Sequence, residues 1–178
     1  MAKKKIVMDA EAIDRSLTRI TYEILERNKG TKDLVVIGIR RGGEFLARRI
    51  RTKIQTIEGT EIPIGILDIT LYRDDFMTNK DQPAPGRTEI PFSLDQKKVI
   101  LVDDVIFTGR TIRAAMDALI DFGRPTLIQL AVLIDRGHRE LPISADFIGE
   151  SLPSALWDDI DVSLKEHGER DEVLIIEG

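Results

Sequence analysis

Cysteine is absent from this 178-residue chain, and histidine occurs only twice. The absence of cysteine excludes disulfides, thiolate nucleophiles and cysteine-bound metals, and the shortage of histidine argues against a histidine-rich zinc site. No apolar run approaches the roughly 20 residues that a membrane-spanning helix needs. The basic start of the chain, MAKKKIVMDAEAID, has no long apolar segment behind it, so we expect no signal peptide. These absences together predict a cytoplasmic protein with no membrane partner.

The composition is that of an ordinary folded protein. Apolar residues make up 42% of the chain and charged residues 32%, which argues against a disordered chain. No internal repeat, low-complexity tract or linker divides the sequence, and its length suits one domain, so we predict a single domain over residues 1–178. The net charge of −5 opposes an overall attraction to nucleic acid but leaves room for a local basic patch.

Strand-like and helix-like segments alternate along the chain. Apolar residues at helical spacing, an N-cap candidate at Asp9 and a glycine beyond the end predict a helix over residues 9–28. Short apolar runs predict strands over residues 34–39, 62–72, 98–102 and 126–134, with helices after the first and the third. Beyond residue 144 only short strand candidates remain, among them DEVLIIEG. This alternation predicts an α/β fold with a parallel sheet covered by helices on both faces.

Polar segments follow three of the predicted strands. They are RRGG at residues 40–43, DDVIFTGRT at 103–111 and DRGHRE at 135–140. In an open parallel sheet, ligands bind beyond the carboxyl ends of the strands, so the three segments are predicted to meet at one rim.

The middle segment combines two kinds of binding chemistry. A helix N-terminus preceded by Gly109 and flanked by the hydroxyls of Thr108 and Thr111 suits a phosphate group. Asp103 and Asp104, by contrast, suit hydroxyl groups or a hard cation such as Mg²⁺. A phosphate site beside hydroxyl acceptors predicts a ribose 5-phosphate, and the alternative is a solvated strand end followed by an ordinary helix cap. The P-loop pattern and the G-x-G-x-x-G pattern of dinucleotide folds are both absent.

This segment matches the phosphoribosyl diphosphate (PRPP) binding motif of type I phosphoribosyltransferases. Several stretches of the chain point to one family within this superfamily. They are the stretches LTRITYEILERNKG, LDITLYRDD, VILVDDVIFTGRTIRAAMDALIDFGRP, IQLAVLIDRGHRELPI and ADFIG. They resemble the PyrR family of bifunctional pyrimidine operon regulators and uracil phosphoribosyltransferases. The resemblance covers residues 5 to 155, and it is specific because superfamily members generally share only the short PRPP motif.

The resemblance implies a type I phosphoribosyltransferase fold, with a twisted, mostly parallel sheet, helices on both faces and a flexible lid over about residues 73–90. It implies a Mg²⁺-dependent reaction of uracil with PRPP to give UMP and diphosphate, in a homodimer or higher homo-oligomer. Mg²⁺ would be held through PRPP, with Asp103 and Asp104 as further candidate ligands. The catalytic residues would be Asp103, Asp104 and Arg73. The uracil pocket would include Ile134, Asp135 and Arg136.

The implied PRPP-binding residues form one list: Arg40, Arg41, Tyr72, Asp103, Asp104, Val105, Ile106, Phe107, Thr108, Gly109, Arg110 and Thr111. Two of them stand in a loop that departs from the family pattern. The diphosphate loop of family members typically reads Lys-Thr-Arg-Gly, whereas this chain has Arg40-Arg41-Gly42-Gly43. The loop keeps its positive charge, but the arginine stands one residue earlier than in the family pattern. This shift puts the catalytic efficiency of the protein in question. The alternative to a diphosphate-binding role is that Arg40 and Arg41 are ordinary surface residues.

The family's RNA-binding face is also altered. The first helix keeps Thr18, Arg19 and Arg27 as candidates for binding pyrimidine operon mRNA, but Tyr22 stands where histidine is usual. Ser144 and Glu150 occupy positions where arginine and lysine are common, and lost cations weaken phosphate contacts. The helix arginines have an alternative role as the solvated side of an amphipathic helix. Two further alternatives for the whole chain are an RNA-binding attenuator with vestigial catalysis and a phosphoribosyltransferase for another base, such as a purine.

Overall fold

The structure is a computed structural model that describes residues 3–73 and 86–178. The described part of the chain contains three α-helices, which are α1 (Ala10–Asn28), α2 (Gly42–Glu58) and α3 (Arg110–Leu119). The strands are β1 (Lys4–Met8), β2 (Leu34–Ile39), β3 (Ile64–Leu67), β4 (Lys98–Ile106), β5 (Leu127–Asp135), β6 (Phe147–Ser151), β7 (Asp159–Ser163) and β8 (Glu172–Ile176). Short 3₁₀ turns follow β3 at Thr70–Tyr72 and α3 at Ile120–Phe122. None of these helices is both long and apolar enough to cross a membrane.

The central sheet has five parallel strands in the order β3-β2-β4-β5-β6. Successive side chains of a strand point to opposite faces, so Val36 and Ile100 pack in one core with α1 and α2, and Val35 and Val99 pack in the other with α3. Because both faces are covered, β2 and the start of β4 are continuous apolar runs. The predicted α/β architecture with helices on both faces is confirmed.

The ends of α1 follow the expected capping chemistry. Asp9 accepts a hydrogen bond from the backbone N–H of Ala12 at 2.8 Å, which satisfies one of the free donors of the first turn. Lys29 ends the helix in the left-handed conformation at φ 56°, and the N–H of Gly30 donates to the carbonyl oxygen of Leu25. The predicted helix over residues 9–28 is confirmed.

Two strand predictions were wrong in length. The predicted strand over residues 62–72 ends at Leu67, because the Asp68 carboxylate accepts the N–H of Thr70 at 3.0 Å and the chain turns there. β4, by contrast, continues past the predicted residue 102 to Ile106, pairing Asp103 with Val132 of β5. The acidic pair therefore lies inside the carboxyl end of a strand, where the sheet holds its backbone.

A second sheet was not predicted. β1, β8 and β7 form an antiparallel sheet in that order, which joins the two ends of the described chain. Val162, Leu164 and Val173 are buried in the same core as α1 and α2. Of the predicted lid over residues 73–90, residues 74–85 lie outside the described part. At the far end of the predicted lid, Glu89 pairs with Ile66 through two backbone hydrogen bonds of 2.7 and 2.9 Å, and the lid itself stays a prediction.

An ion-pair cluster attaches the β7–β8 hairpin to α2. Arg49 donates two hydrogen bonds to Glu166, at 2.8 and 2.6 Å, and two to Asp171, at 2.9 and 2.8 Å. The hydrogen bonds from Arg49 lower the pKa of Glu166 and of Asp171, and the same bonds, with Glu166 first, raise the pKa of Arg49. The two carboxylates are therefore held ionised against the helix.

Replacing Arg49 by Gln should lower the free energy of unfolding at neutral pH by about 1–3 kcal/mol, since hydrogen bonds to charged groups are lost. Both carboxyls have a folded pKa below the ordinary value, so their contribution is present above the unfolded pKa and disappears as the pH falls through the folded pKa. Denaturant unfolding at a series of pH values should show the wild type and the variant converging below about pH 4. A stability difference that stays constant down to pH 2 would contradict this account.

Candidate active site

Two adjoining cavities lie at the carboxyl edge of the central sheet. The larger, of about 990 Å³, is bordered by Arg40 and Arg41 before α2 and by Asp103 and Asp104 on β4. The smaller, of about 280 Å³, is bordered by residues 105–112. Arg73, Val105 and Thr111 border both cavities. The structure therefore brings together every predicted PRPP-binding residue except Tyr72, although no single stretch of sequence supplies them.

Glycines allow the first turn of α2 to approach β4 closely. A Cβ atom added to Gly43 would lie 2.3 Å from the carbonyl oxygen of Val102, and one added to Gly38 would lie 2.6 Å from the carbonyl oxygen of Gly43. A Cβ at Gly42 would lie 2.3 Å from a carboxylate oxygen of Asp104. The glycine that stands in the arginine position of the family pattern therefore faces Asp104.

The acidic pair combines a buried and a half-buried carboxyl group. Asp103 is only 7% exposed, and its carboxylate accepts the N–H of Asp104 at 2.9 Å. Burial, and then the neighbouring charge of Asp104, raise the pKa of Asp103 well above its usual value. Asp104 accepts the N–H of Val105 at 2.8 Å and borders the larger cavity. A hydroxyl or a cation at this pair would offset the cost of burying negative charge.

The loop after β4 presents a helix N-terminus to the smaller cavity. Gly109 has φ 92°, a conformation that favours glycine, and caps α3 without a side-chain hydrogen bond. The N–H of Arg110 lies 3.3 Å from the hydroxyl of Thr108, and the Arg110 side chain lies 3.4 Å from Glu140. The first turn of α3 therefore suits an anion, as the sequence predicts.

Arg40 is held in place by the chain on the far side of the larger cavity. Its guanidinium donates to the carbonyl oxygen of Arg87 at 2.8 Å and lies 3.7 Å from the carboxylate of Glu44. Its Nε atom is buried and has no hydrogen-bond partner in the part of the chain that the structure describes. Arg41 is exposed, and the peptide bond between the two arginines is cis. One arginine is thus fixed at the cavity wall and the other is open to solvent.

Asp68 fixes the same wall and was not singled out from the sequence. Its carboxylate accepts the N–H groups of Thr70 and Gly86, both at 3.0 Å, and its own N–H donates to the hydroxyl of Thr88 at 3.0 Å. Partial burial raises the pKa of Asp68, but the hydrogen bonds from Thr70 and Gly86 and the charge of Arg40 outweigh burial and lower it. Asp68 therefore ties Thr70 and Gly86, which lie on either side of residues 74–85, to the end of β3.

The predicted uracil-pocket residues lie behind the two cavities. Ile134 is fully buried in the core and borders neither cavity. The Asp135 carboxylate is paired with Arg139 at 2.8 Å. Arg136 is 6% exposed, donates to the carbonyl oxygens of residues 155 and 158, and lies 4.1 Å from the ring centre of Phe107. Phe107 links this group to the smaller cavity, and the assignment of a base pocket stays a prediction.

Tyr72 does not border either cavity in this structure. Its hydroxyl donates to the carboxylate of Asp121 beyond α3, and this hydrogen bond, with a smaller effect of burial, raises the pKa of Tyr72. The resemblance places Tyr72 among the PRPP-binding residues, but the 3₁₀ turn after β3 directs its side chain towards Asp121.

The predicted RNA-binding side chains already have protein partners. Arg19 donates to the carbonyl oxygen of Gly149 at 2.6 Å, and Arg27 pairs with Asp146 at 3.1 Å. The hydroxyl of Thr18 donates to the carbonyl oxygen of Asp14 and accepts from Lys53. These contacts hold α1 against α2 and β6, so an RNA contact would have to share or replace them.

Comparison with known proteins decides the family. A model of the phosphoribosyl transferase domain matches residues 5–166. The bifunctional protein PyrR of Pelotomaculum thermopropionicum is 57% identical over 99% of this chain and 98% of that protein. The PyrR proteins of Listeria welshimeri and Geobacter sulfurreducens are 54% and 58% identical, over 99% and 91% of this chain and 98% and 92% of theirs. The chain belongs to the PyrR family.

Solved structures of other phosphoribosyltransferases share its fold. A hypoxanthine phosphoribosyltransferase of Trypanosoma cruzi matches with a TM-score of 0.73 at 17% identity, over 97% of this chain and 96% of that one. A hypoxanthine phosphoribosyltransferase of Staphylococcus aureus matches with a TM-score of 0.70 at 18% identity, over 98% and 92%. At such identities the likeness concerns the fold alone. The predicted family and the predicted type I phosphoribosyltransferase fold are confirmed.

Replacing Asp68 by Asn should loosen both chain segments that it holds. An amide has one acceptor oxygen and no charge, so it cannot hold the N–H groups of Thr70 and Gly86 as a carboxylate does. We expect amide hydrogen exchange at residues 70 and 86 to rise by about tenfold, the equivalent of one lost hydrogen bond.

Asp95 offers a matched control, because its carboxylate accepts the N–H of Arg124 at 2.7 Å in a loop away from the cavities. Asp95→Asn should leave exchange at residues 70 and 86 unchanged. Unchanged exchange at those residues in Asp68→Asn would contradict the role given to this carboxylate.

Proposed function

We propose that this chain is a uracil phosphoribosyltransferase of the PyrR type, which converts uracil and PRPP to UMP and diphosphate. One observation supports this most: the carboxylates of Asp103 and Asp104 lie between two helix N-termini at the same sheet edge. The N-terminus of α2 carries Arg40 and Arg41, and that of α3 follows residues 108–109. PRPP has a diphosphate at one end, a phosphate at the other and two ribose hydroxyls between them, which is the complementary order of groups.

In the proposed reaction the bond between ribose C1 and diphosphate breaks, and a ring nitrogen of uracil bonds to C1 and releases its proton to water or to the departing diphosphate. Positive charge develops on the ribose ring and negative charge on the leaving diphosphate. Asp103 and Asp104 accept the ribose hydroxyls, and Arg40, Arg41 and Arg73 face the leaving group. The first turn of α3 holds the 5-phosphate. No side chain of the site is required as a covalent nucleophile.

Mg²⁺ is the cofactor that we propose, and the residues present fit it. Asp103 and Asp104 supply hard oxygen donors, and the buried Asp103 is the kind of group that a cation stabilises in its ionised form. Within residues 3–73 and 86–178, no group of three or more His, Asp or Glu side chains is arranged to hold a metal. Oxygens of PRPP would therefore complete the coordination, and Mg²⁺ would neutralise charge on the leaving diphosphate.

We also propose that residues 1–178 act as one catalytic domain in a cytoplasmic homo-oligomer. The matched relatives have nearly the same length as this chain, and the two sheets share one core through β7 and β8.

Uracil is the base that we favour over a purine. Support comes from the full-length likeness to PyrR proteins, whereas the likeness to hypoxanthine enzymes is limited to the fold. A panel of free bases, each offered with PRPP and Mg²⁺, should give product with uracil and little with hypoxanthine or guanine. A preference for hypoxanthine or guanine would instead support the alternative function, that of a purine phosphoribosyltransferase.

The initial rate of UMP formation from uracil and PRPP tests the enzyme itself. The rate should be robust with Mg²⁺ and should disappear with EDTA. Replacing Asp104 by Asn should lower kcat/KM for PRPP by about 10²–10³-fold, the usual effect of removing a group that stabilises developing charge. Asp95→Asn is the control and should keep the wild-type rate. A folded wild-type protein that binds PRPP but forms no UMP would show that the Arg40-Arg41-Gly42-Gly43 loop does not support the chemistry.

Binding of pyrimidine operon mRNA in response to UMP is the second candidate function. The three PyrR relatives carry the word bifunctional in their names, which favours it. The surface around Arg19 opposes it, because the exposed Glu150 borders the same shallow cavity of about 390 Å³ as Arg15 and Arg19. We therefore propose that this chain has a lower affinity for RNA than the same chain with lysine at position 150.

Replacing Glu150 by Lys should tighten binding to a pyrimidine leader RNA by about 3- to 10-fold at low salt, with a steeper salt dependence, since phosphate contacts release counterions. A gel shift at several salt concentrations, with and without UMP, measures both effects. Glu169→Lys makes the same charge change on the β7–β8 turn and is the control. Equal effects of the two substitutions would mean that net charge alone, rather than this surface, governs binding.

A further inference from the structure

The larger cavity has one wall that comes from the end of the chain. His167, in the turn between β7 and β8, borders the same cavity as Arg40, Arg41 and Asp104. Its ring stacks on that of Phe45 in α2, with ring centres 5.1 Å apart and an angle of 13° between the planes. The second sheet therefore contributes a polar ring to the site that the central sheet builds.

The position of His167 is set by one face of α2. Arg41, Phe45 and Arg49 follow one another at intervals of four residues, so they lie along the same side of the helix and its entry. Phe45 carries the His167 ring, and Arg49 holds Glu166 and Asp171 with four hydrogen bonds of 2.6–2.9 Å. The ring therefore lies over the N-terminal turn of α2, beside the arginines of the proposed diphosphate loop.

The backbone of the turn is fixed as well. The N–H groups of His167 and Gly168 donate to the carbonyl oxygen of Leu164, at 3.0 and 2.8 Å, and the Leu164 side chain is fully buried. The N–H of Lys165 donates to Asp171 at 2.8 Å. A side chain on such a fixed turn loses little conformational entropy when it binds a ligand, and this small loss favours binding.

The His167 ring itself is available to a ligand. The residue is exposed, and within residues 3–73 and 86–178 its ring nitrogens make no hydrogen bond to the protein. Every imidazole carries at least one N–H donor, and a second when it is protonated. The cavity lining also includes two arginines and four carboxylates: Arg40, Arg41, Glu44, Asp68, Asp103 and Asp104. The two arginines offer charge to an anion on the side of α2, and the His167 ring adds a hydrogen-bond donor.

We propose that His167 contacts the substrate and donates a hydrogen bond from its ring to the diphosphate group of PRPP. This inference rests on the proposed function and adds the β7–β8 hairpin to the diphosphate site. No bond is made or broken by His167, which binds the diphosphate before and after the transfer.

The test compares His167→Phe with the wild-type full chain. Phenylalanine keeps a ring for stacking on Phe45 and removes both nitrogens. Calorimetry with inorganic diphosphate and Mg²⁺ should show a Kd about 10- to 100-fold higher in the variant, the equivalent of one hydrogen bond to a charged group. The KM for PRPP should rise with it, whereas the KM for uracil and the melting temperature should stay unchanged.

Two further variants separate this role from a structural one. His167→Gln retains an N–H donor without the aromatic ring and should recover most of the lost affinity for diphosphate. Glu169→Gln changes a charge on the same turn outside the cavity and should bind diphosphate like the wild type. If Gln binds diphosphate as weakly as Phe at position 167, restoring an N–H donor does not restore binding, and the proposed hydrogen bond is wrong.

The failure of this inference differs from the failure of the proposed function. A wild-type protein that binds diphosphate and forms UMP, together with a His167→Phe variant that does both equally well, overturns the role of His167 alone. A wild-type protein that binds no diphosphate and forms no UMP overturns the proposed function and this inference with it.

Discussion

The close approach between the first turn of α2 and the carboxyl end of β4 is the constraint on which the rest of the site depends. It requires glycine at positions 38 and 43, where a Cβ atom would lie within 2.6 Å of a backbone oxygen. Because the helix begins there, its free N–H groups and the adjacent arginines stand beside the carboxylates of Asp103 and Asp104. The packing of the backbone thus places the positive and the negative groups of the site next to each other.

The charges of the site are supported from outside it. Asp68 holds the segment after residue 85, whose Arg87 carbonyl oxygen in turn holds Arg40. Arg49 holds the β7–β8 hairpin against the opposite side of α2. The buried Asp103 accepts the N–H of Asp104, but burial and then the charge of Asp104 raise its pKa. A buried acid of this kind is suited to a ligand that brings hydroxyl groups and a metal ion to it.

The sequence predicts most of the central sheet because its signals are local. The apolar run of β2, the caps of α1 and the turn at Gly109 each depend on neighbouring residues, and each was found as predicted. The second sheet was missed because β1 and β8 pair across nearly the whole chain, and pairing at that separation leaves no pattern in either strand alone. The length of β3 was misjudged because the apolar pattern continues through Ile69 although Asp68 turns the backbone.

The candidate site divides in the same way. Asp103, Asp104 and residues 108–111 are recognisable because one motif contains them, and Arg40 and Arg41 because they follow a strand. Asp68 and His167 carry no motif, and their importance depends on contacts with Gly86 and Phe45 that only the folded chain makes. Tyr72 is the reverse case, since the resemblance implies a binding role for it and its hydroxyl donates a hydrogen bond to Asp121 in the folded chain.

The central claim is that one PRPP molecule spans the edge of β4 between the N-termini of α2 and α3. A crystal structure with PRPP and Mn²⁺ in place of Mg²⁺ tests it most directly, because Mn²⁺ gives an anomalous signal. The account predicts diphosphate over residues 40–43, ribose hydroxyls at Asp103 and Asp104, the 5-phosphate at residues 108–111, and the metal between the diphosphate and the acidic pair. Ordered PRPP bound elsewhere, or bound with its phosphates exchanged between the two helices, would contradict it.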